Sequence, residues 1–462
     1  MHFPELFLAD RPPGAPTTPA FIREACIAIK RNRVHWLAHR KTQELIELIA
    51  FAAERWREPG NRYRHRALDL GPTETGFGRT TLEAGLDAFF AGLTVEALTS
   101  WVTQDLGEIR RLDEFCAPMG EMRHGRLALA RGPELVVHIA AGTLPNPTLL
   151  SMVASLLVKS AQLVKCSSRS SLLPRLFAHS LAELEPKVGG CLEVADWPGG
   201  SNDLEAAAFA EAECVTVHGS DETVKSVRSR LPGSVRLLAY GHQLSFGVVG
   251  AEMLSSYSAR KAAEKAAHDV TAWNQLGCLS PHVFYVEDSG AVSPEAFGEL
   301  LAEALAAGEA KDPRGPLPPE SAAQIAGSRS LYEVREARSR VAHEEAVTAP
   351  RGVFFPAPDH VTRVWSSPGS TAWTVVYEAD PHFRISCLNR FVYVKSCRNL
   401  KDALHHADSV RGRVSTVGLA MTEGRSAEAA PHLAAWGVTR ICPIGRMQTP
   451  PPAWRHDGRT RL

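Results

Sequence analysis

No stretch of this chain is apolar for long enough to cross a bilayer. The longest run, Leu149 to Val158, is interrupted by Ser151 and Ser155 and stops at Lys159, where a span needs roughly 20 residues. Charge of one sign is not in excess either. Lys plus Arg equals Asp plus Glu at 51 each, so no net field draws the chain to nucleic acid or to an anionic membrane. Zinc-type cysteine spacing is missing: the nine cysteines, at 26, 116, 166, 191, 214, 278, 387, 397 and 442, include no CxxC pair. No metal site is expected, and reduced thiols in a cytoplasmic chain fit best. The first residues, MHFPELFLADRPPGAPTTPAF, place Pro and Asp where a secretory signal needs an apolar stretch, so export is not expected. Repeats at a fixed period and low-complexity tracts are absent.

What is present is an ordinary globular composition, 44% hydrophobic and 22% charged over 462 residues, which predicts two or three units around sizeable cores. Phe21 to Trp56 has helical periodicity through Ile22, Cys26, Ile29, Leu37, Leu45 and Ile49, with REPGNRYR ending it. A second helical tract runs from about Thr80 to Leu106. From Glu134 the pattern changes to short apolar runs alternating with helices: LVVHIAAG, AQLVKCSS, CLEVAD, CVTVHG and SVRLLAYG, with helices at 147–158, 172–184, 202–211 and 221–230. This alternation predicts a parallel sheet with helices on both faces, which binds ligands at its strand C-termini. A second α/β lobe is predicted from helices at 257–273, 294–307 and 321–346 and from the strands HVFYVED, GVFF, AWTVVYE, RFVYVK, STVGLAM and VTRICPIG.

Cys278 stands in Gly277-Cys278-Leu279-Ser280-Pro281, between a predicted helix and a predicted strand. Glycine and proline on either side place the thiol on a turn. A free cysteine is more often a small packing residue than a nucleophile; the position of this one, after a complete nucleotide-type half, favours the nucleophile.

In order along the chain, HIAAGTLPNPTLL, LVKCSS, VHGSDETVKSVR, YGHQLSFGVVG, WNQLGCLSP and the C-terminal PIGRMQTPPPAWRHDG resemble the aldehyde dehydrogenase superfamily. They are most similar to its LuxC-like acyl-CoA reductases, the reductase component of bacterial bioluminescence. The resemblance implies an α/β fold with a Rossmann-type cofactor domain, an α/β catalytic domain and a helical N-terminal region. It divides the chain into a helical region at 1–130, a nicotinamide-cofactor domain at 131–250, a catalytic domain at 251–440 and a tail at 441–462. It makes Cys278 the nucleophile that accepts an acyl group, since a thiolate attacks a thioester and leaves another thioester still open to hydride. Lys165 would reach the cofactor ribose, and Gly219 and Ser220 would cap the following helix and bind the pyrophosphate. Ser168 and Arg169 stand where a carboxylate would repel a 2'-phosphate, which favours NADPH, with NADH also accommodated.

Two departures from the oxidising relatives shape the expected reaction. No Asp or Glu occurs from Leu237 to Phe246, where those relatives place the base that activates water, so thioester reduction is expected over aldehyde oxidation. His242 lies in that window as an acid or base candidate, although a structural histidine is the stronger reading. The HIAAG turn has Thr143 in place of the usual oxyanion-hole Asn, leaving the Thr143 hydroxyl or Asn146 as donor. The competing readings are an aldehyde dehydrogenase working in the oxidative direction and a non-catalytic acyl-carrying subunit. Expected partners are an acyl-CoA or an acylated protein, an acyl-protein ligase by resemblance, and further copies of the chain in a homo-oligomer.

Overall fold

A computed structural model describes residues 7–12, 14–140, 142, 144–167, 170–348, 361–460 and 462, with Met119 and residues 342–348 as backbone only. The chain forms two compact units. One comprises Met1–Thr75, Leu82–His242 and Pro451–Leu462; the other comprises Gly76–Thr81 and Gln243–Pro450.

The first unit begins with helices where one long helix was expected. Pro19–Trp36 (α1) is started by Thr18, whose side chain accepts from the Phe21 N–H, and it buries Ile22, Cys26 and Ile29. It stops at Leu37, and Thr42–Arg57 (α2) begins anew. The break has a specific cause: Asp113 accepts from both the N–H and the hydroxyl of Thr42, at 3.0 and 2.7 Å, and also pairs with Lys159 at 2.6 Å. A nearly buried ion pair thus fixes a turn inside a periodic apolar pattern. The presumed terminator REPGNRYR in turn starts Arg62–Thr75 (α3), because the Asn61 side chain accepts from the N–H groups of Tyr63 and Arg64, both at 2.9 Å. Arg79–Ala91 (α4) and Val95–Leu106 (α5) follow, the latter ending at Gly107 with φ of 79°. Met119–Met122 (α6) is a single turn.

The sheet of this unit is parallel throughout, from Leu135–Ile139 (β1), Ala161–Cys166 (β2), Leu192–Asp196 (β3), Cys214–His218 (β4) and Arg236–Tyr240 (β5), in the order β3-β2-β1-β4-β5. Its helices are Pro145–Leu157 (α7), Leu172–Leu184 (α8), the single turn Pro186–Gly189 (α9), Asn202–Glu211 (α10) and Asp221–Arg230 (α11). Every residue of β1, β2 and β4 is buried, as expected of a sheet covered on both faces. The tail returns to this unit, where His456 stacks on Tyr240 at 4.9 Å and Tyr240 stacks on His218 at 4.7 Å.

The second unit is a seven-stranded sheet in the order β12-β11-β6-β7-β10-β9-β8. Its strands are Leu244–Val249 (β6), Pro281–Glu287 (β7), Thr362–Ser366 (β8), Thr374–Glu378 (β9), Phe391–Cys397 (β10), Val414–Ala420 (β11) and Arg440–Pro443 (β12); β8 is antiparallel to β9 and the rest are parallel. Ser256–Thr271 (α12), Pro294–Lys311 (α13), Pro319–Thr348 (α14), Leu400–His406 (α15) and Glu423–Trp436 (α16) complete it. β6 and β8 are strands that periodicity did not mark, while the expected strand GVFF, at 352–355, lies outside the described residues. Gly247 is required in β6: a Cβ there would stand 2.4 Å from the fully buried Phe284 ring. Phe246 and Phe284 are themselves fully buried, each contributing about 2 to 3 kcal/mol of transfer free energy.

Candidate active site

The turn that carries Cys278 is built on strained backbone. After α12, Trp273, Asn274 and Gln275 take φ of 51°, 51° and 63°, a left-handed run that costs an L-residue about 1 to 2 kcal/mol each. The chain then makes a short turn, with the Ser280 N–H donating to the Gly277 carbonyl at 3.0 Å, and enters β7. Ser245, at the start of β6, donates its hydroxyl to the Cys278 carbonyl at 2.8 Å and accepts from the Thr416 N–H at 3.2 Å. Gln448 donates to the Ser280 hydroxyl at 3.1 Å and to the Asp269 carbonyl at 3.3 Å. The Cys278 turn therefore lies at the N-terminal ends of β6 and β7 and is tied to β6 and to the segment after β12.

The nine thiols differ sharply in setting. Cys26, Cys116, Cys166, Cys191, Cys214 and Cys397 are buried, and only Cys278, Cys387 and Cys442 are partly accessible. Burial pushes the Cys387 and Cys442 thiols up to about 11, which keeps both protonated near neutrality. Arg440, 8% exposed, donates to the carbonyls of Met447 and Arg446, both at 2.6 Å. Burial holds its guanidinium below the usual range, and the charges of Cys442, Asp269 and Cys278 oppose that shift. A buried cation is thus an electrostatic neighbour of the Cys278 thiol. Asp269 is fully buried with both oxygens engaged, by the N–H groups of Gly445 at 2.5 Å and Met447 at 3.1 Å.

In the first unit, the strand order changes direction between β1 and β4, the switch point where open parallel sheets bind ligands. The first turn of α7 follows β1 there. Pro145 and Pro147 have no N–H, and Leu144 provides no side-chain cap. The Asn146 Oδ1 and Thr148 Oγ1 are buried without a hydrogen-bond partner among the described residues. An amide oxygen and a hydroxyl left without partners can accept from a ligand's hydroxyls, so these residues are compatible with the ribose of a nucleotide cofactor rather than with its phosphates. Lys165 is the penultimate residue of β2, 6% exposed, its carbonyl accepting from the Ala140 N–H at 2.9 Å. Gly219 and Ser220 follow β4, and the Ser220 hydroxyl accepts from the Thr223 N–H at 3.3 Å as the helix cap. Asp221 and Glu222 occupy that same first turn, and their charge competes with a phosphate for the helix N–H groups. Thr143, Ser168 and Arg169 lie outside the described residues.

The family model for acyl-CoA reductase (LuxC) matches residues 37–349 and 357–462. The chain belongs to the LuxC acyl-CoA reductase family. It is 24% identical over 253 residues to the long-chain acyl-protein thioester reductase of Aliivibrio fischeri, a match covering 53% of this chain and 50% of that protein. It is 23% identical over 254 residues to long-chain acyl-protein thioester reductase 2 of Photobacterium leiognathi, covering 53% and 51%. The chain thus spans about half the length of the curated relatives it matches. Among solved structures, a NAD-dependent benzaldehyde dehydrogenase from Corynebacterium glutamicum superposes with a TM-score of 0.62 at 14% identity, over 94% of this chain and 88% of that one. A bifunctional proline utilization A protein does so with a TM-score of 0.64 at 17% identity, over 94% and 41%. The aldehyde dehydrogenase fold and the LuxC resemblance read from the ordered motifs are both borne out.

In this LuxC-family chain the candidate site residues are shared between the two units. His242 is exposed, and its N–H donates to Asp221 at 3.1 Å, so it belongs with the Gly219-Ser220 turn of the first unit, whereas Cys278 belongs to the second unit. Tyr240, in the same window, is held in the ring stack with His218 and His456. Sequence reasoning missed Asp196, which ends β3 in register with Cys166, directly after Lys165. Burial raises the Asp196 carboxyl, while Lys165 and Arg175 oppose that shift. The strand-terminal Asp of CLEVAD was its signal. Also missed were Ser245, Asp269, Gln275, Arg440 and Gln448, for which no local pattern existed. Among the described residues no group of three His, Cys, Asp or Glu could hold a metal, and no helix is long and apolar enough to cross a membrane.

Proposed function

We propose that this chain reduces an acyl thioester to the aldehyde through an acyl group carried on Cys278, with NADPH as the preferred reductant and NADH accommodated. The observation that carries the reading is the setting of Cys278: a partly accessible thiol on a strained turn, tied down at its carbonyl by Ser245. The thiolate is the form that attacks an acyl carbon. In the first step the Cys278 sulfur bonds to the acyl carbon and the donor's sulfur leaves, taking up a proton as its free thiol. A reduced nicotinamide, when bound, supplies the hydride that turns the acyl carbon into an aldehyde as the bond to Cys278 breaks.

The chain's own residues favour reduction over hydrolysis. The window from Leu237 to Phe246 has no carboxylate, and Asp269 has both oxygens engaged by backbone amides. A placed base typically accelerates attack by water 10² to 10⁴-fold, so its absence prolongs the life of the acyl-enzyme. Lys165 is assigned to the cofactor ribose, and Ser168 and Arg169, after it in sequence, favour the 2'-phosphate of NADPH, against the opposing charge of Asp196. The relatives' names point to a long-chain acyl group carried on a protein and the family description to an acyl-CoA; an acyl-protein ligase as the supplying partner and a homo-oligomer as the assembly rest on the resemblance of the sequence motifs alone. Intact mass after incubation with a panel of acyl-CoAs tests the reading. It should show one acyl adduct that persists without NADPH, is discharged as aldehyde with it, and is absent in Cys278→Ala. Acyl uptake or aldehyde formation by Cys278→Ala would end the proposal.

A further inference from the structure

Two left-handed turns meet behind the nucleophile. One is Trp273-Asn274-Gln275; the other is Leu388-Asn389-Arg390, with φ of 64°, 57° and 66°, directly before β10. None of the six is glycine, so contacts elsewhere must hold them in place. Gln275 is fully buried, and its amide closes three hydrogen bonds of 2.8 Å: its oxygen accepts from the Phe391 N–H, and its nitrogen donates to the carbonyls of Phe391 and Pro281. Only a side-chain amide offers one acceptor and two donors in this arrangement. Arg390, 1% exposed, adds a bond from its Nε to the Asn274 side-chain oxygen at 3.0 Å and is anchored on Glu309 at 2.7 Å.

The placement of these bonds suggests a function beyond packing. Gln275 and Pro281 lie three residues before and three after Cys278, so the bond between them closes the turn around the thiol. Ser245 pins the middle of that turn at the Cys278 carbonyl. We propose that Gln275 and Ser245 are positioning residues that aim the Cys278 thiol at the acyl carbon, an assignment resting on the reading of Cys278 as the acyl acceptor. Attack on a carbonyl carbon needs a narrow approach, and misplacement by about 1 Å costs on the order of 10²-fold. Alkylation by a small, freely diffusing reagent makes no such demand.

The test compares Gln275→Met, Ser245→Ala and Cys278→Ala in the full chain, using decanoyl-CoA with NADPH and, separately, iodoacetamide. For folded Gln275→Met and Ser245→Ala, kcat should fall on the order of 10²-fold and 10-fold respectively, with KM for decanoyl-CoA and the iodoacetamide rate at Cys278 within about threefold of the parent. Parent kcat in both variants would overturn the inference, as would a fall in acylation matched by an equal fall in iodoacetamide rate. If Gln275→Met does not fold, Ser245→Ala decides alone, since it removes one hydroxyl. Acyl uptake by Cys278→Ala would refute the underlying reading; its absence, together with unaltered positioning variants, would refute only this inference.

Discussion

Acidification should destabilise the first unit through one histidine in its sheet. His138 lies in the middle of β1, 1% exposed, with Nδ1 2.6 Å from the Thr216 hydroxyl and Nε2 3.2 Å from the Gln162 side-chain oxygen. These partners assign the proton to Nε2, with Nδ1 accepting from Thr216. Burial pulls the imidazole down to about 4, against the hydrogen bond to Gln162, which favours the charged form. In the unfolded chain it titrates near its ordinary 6.5. Above pH 6.5 both states are neutral and the group adds no pH dependence. Between pH 6.5 and about 4 the unfolded chain binds a proton that the folded chain refuses, so stability falls as pH falls. The loss is about 2 kcal/mol by pH 5 and about 3 kcal/mol by pH 4. Carboxylates held low, such as Asp113, lose stability over part of the same range, so the measurement must be a difference. Urea unfolding of the parent and of His138→Gln, followed by circular dichroism at pH 7.5 and pH 5, isolates the histidine. The variant is less stable at pH 7.5 and the gap narrows by about 2 kcal/mol at pH 5. A gap that stays constant would show that His138 is not held neutral and would refute the reasoning.

Three further outcomes probe the first unit and the second sheet. Lys165→Ala should raise KM for NADPH while leaving acyl transfer to Cys278 intact, and Asp196→Asn should improve NADPH relative to NADH by something on the order of 1 kcal/mol; steady-state kinetics with both cofactors would remove either residue from the site if nothing changes. Gly247→Ala drives a methyl to within 2.4 Å of the Phe284 ring and should cost about 1 to 3 kcal/mol or more, so an unaltered thermal midpoint would show that β6 can shift to make room.

The sequence by itself determined the elements whose pattern is local. The alternation from Leu135 to Tyr240 became five parallel strands and their helices, since period and length distinguish buried strands from helices without knowledge of neighbours. The Gly-Cys-Leu-Ser-Pro turn was legible because Gly and Pro punctuate the backbone wherever they stand. Tertiary structure decided the rest. Asp113 broke the expected helix at Thr42 from 71 residues away, and β6 acquired its strand pairing from β7 and β11, whose positions no local window contains. The setting of Cys278 depends on Ser245, 33 residues before it, and on the Phe391 backbone gripped by Gln275 across 116 residues. Hydrogen-bond partners separated so far in sequence leave no periodic trace, because it is the fold alone that brings them within 3 Å.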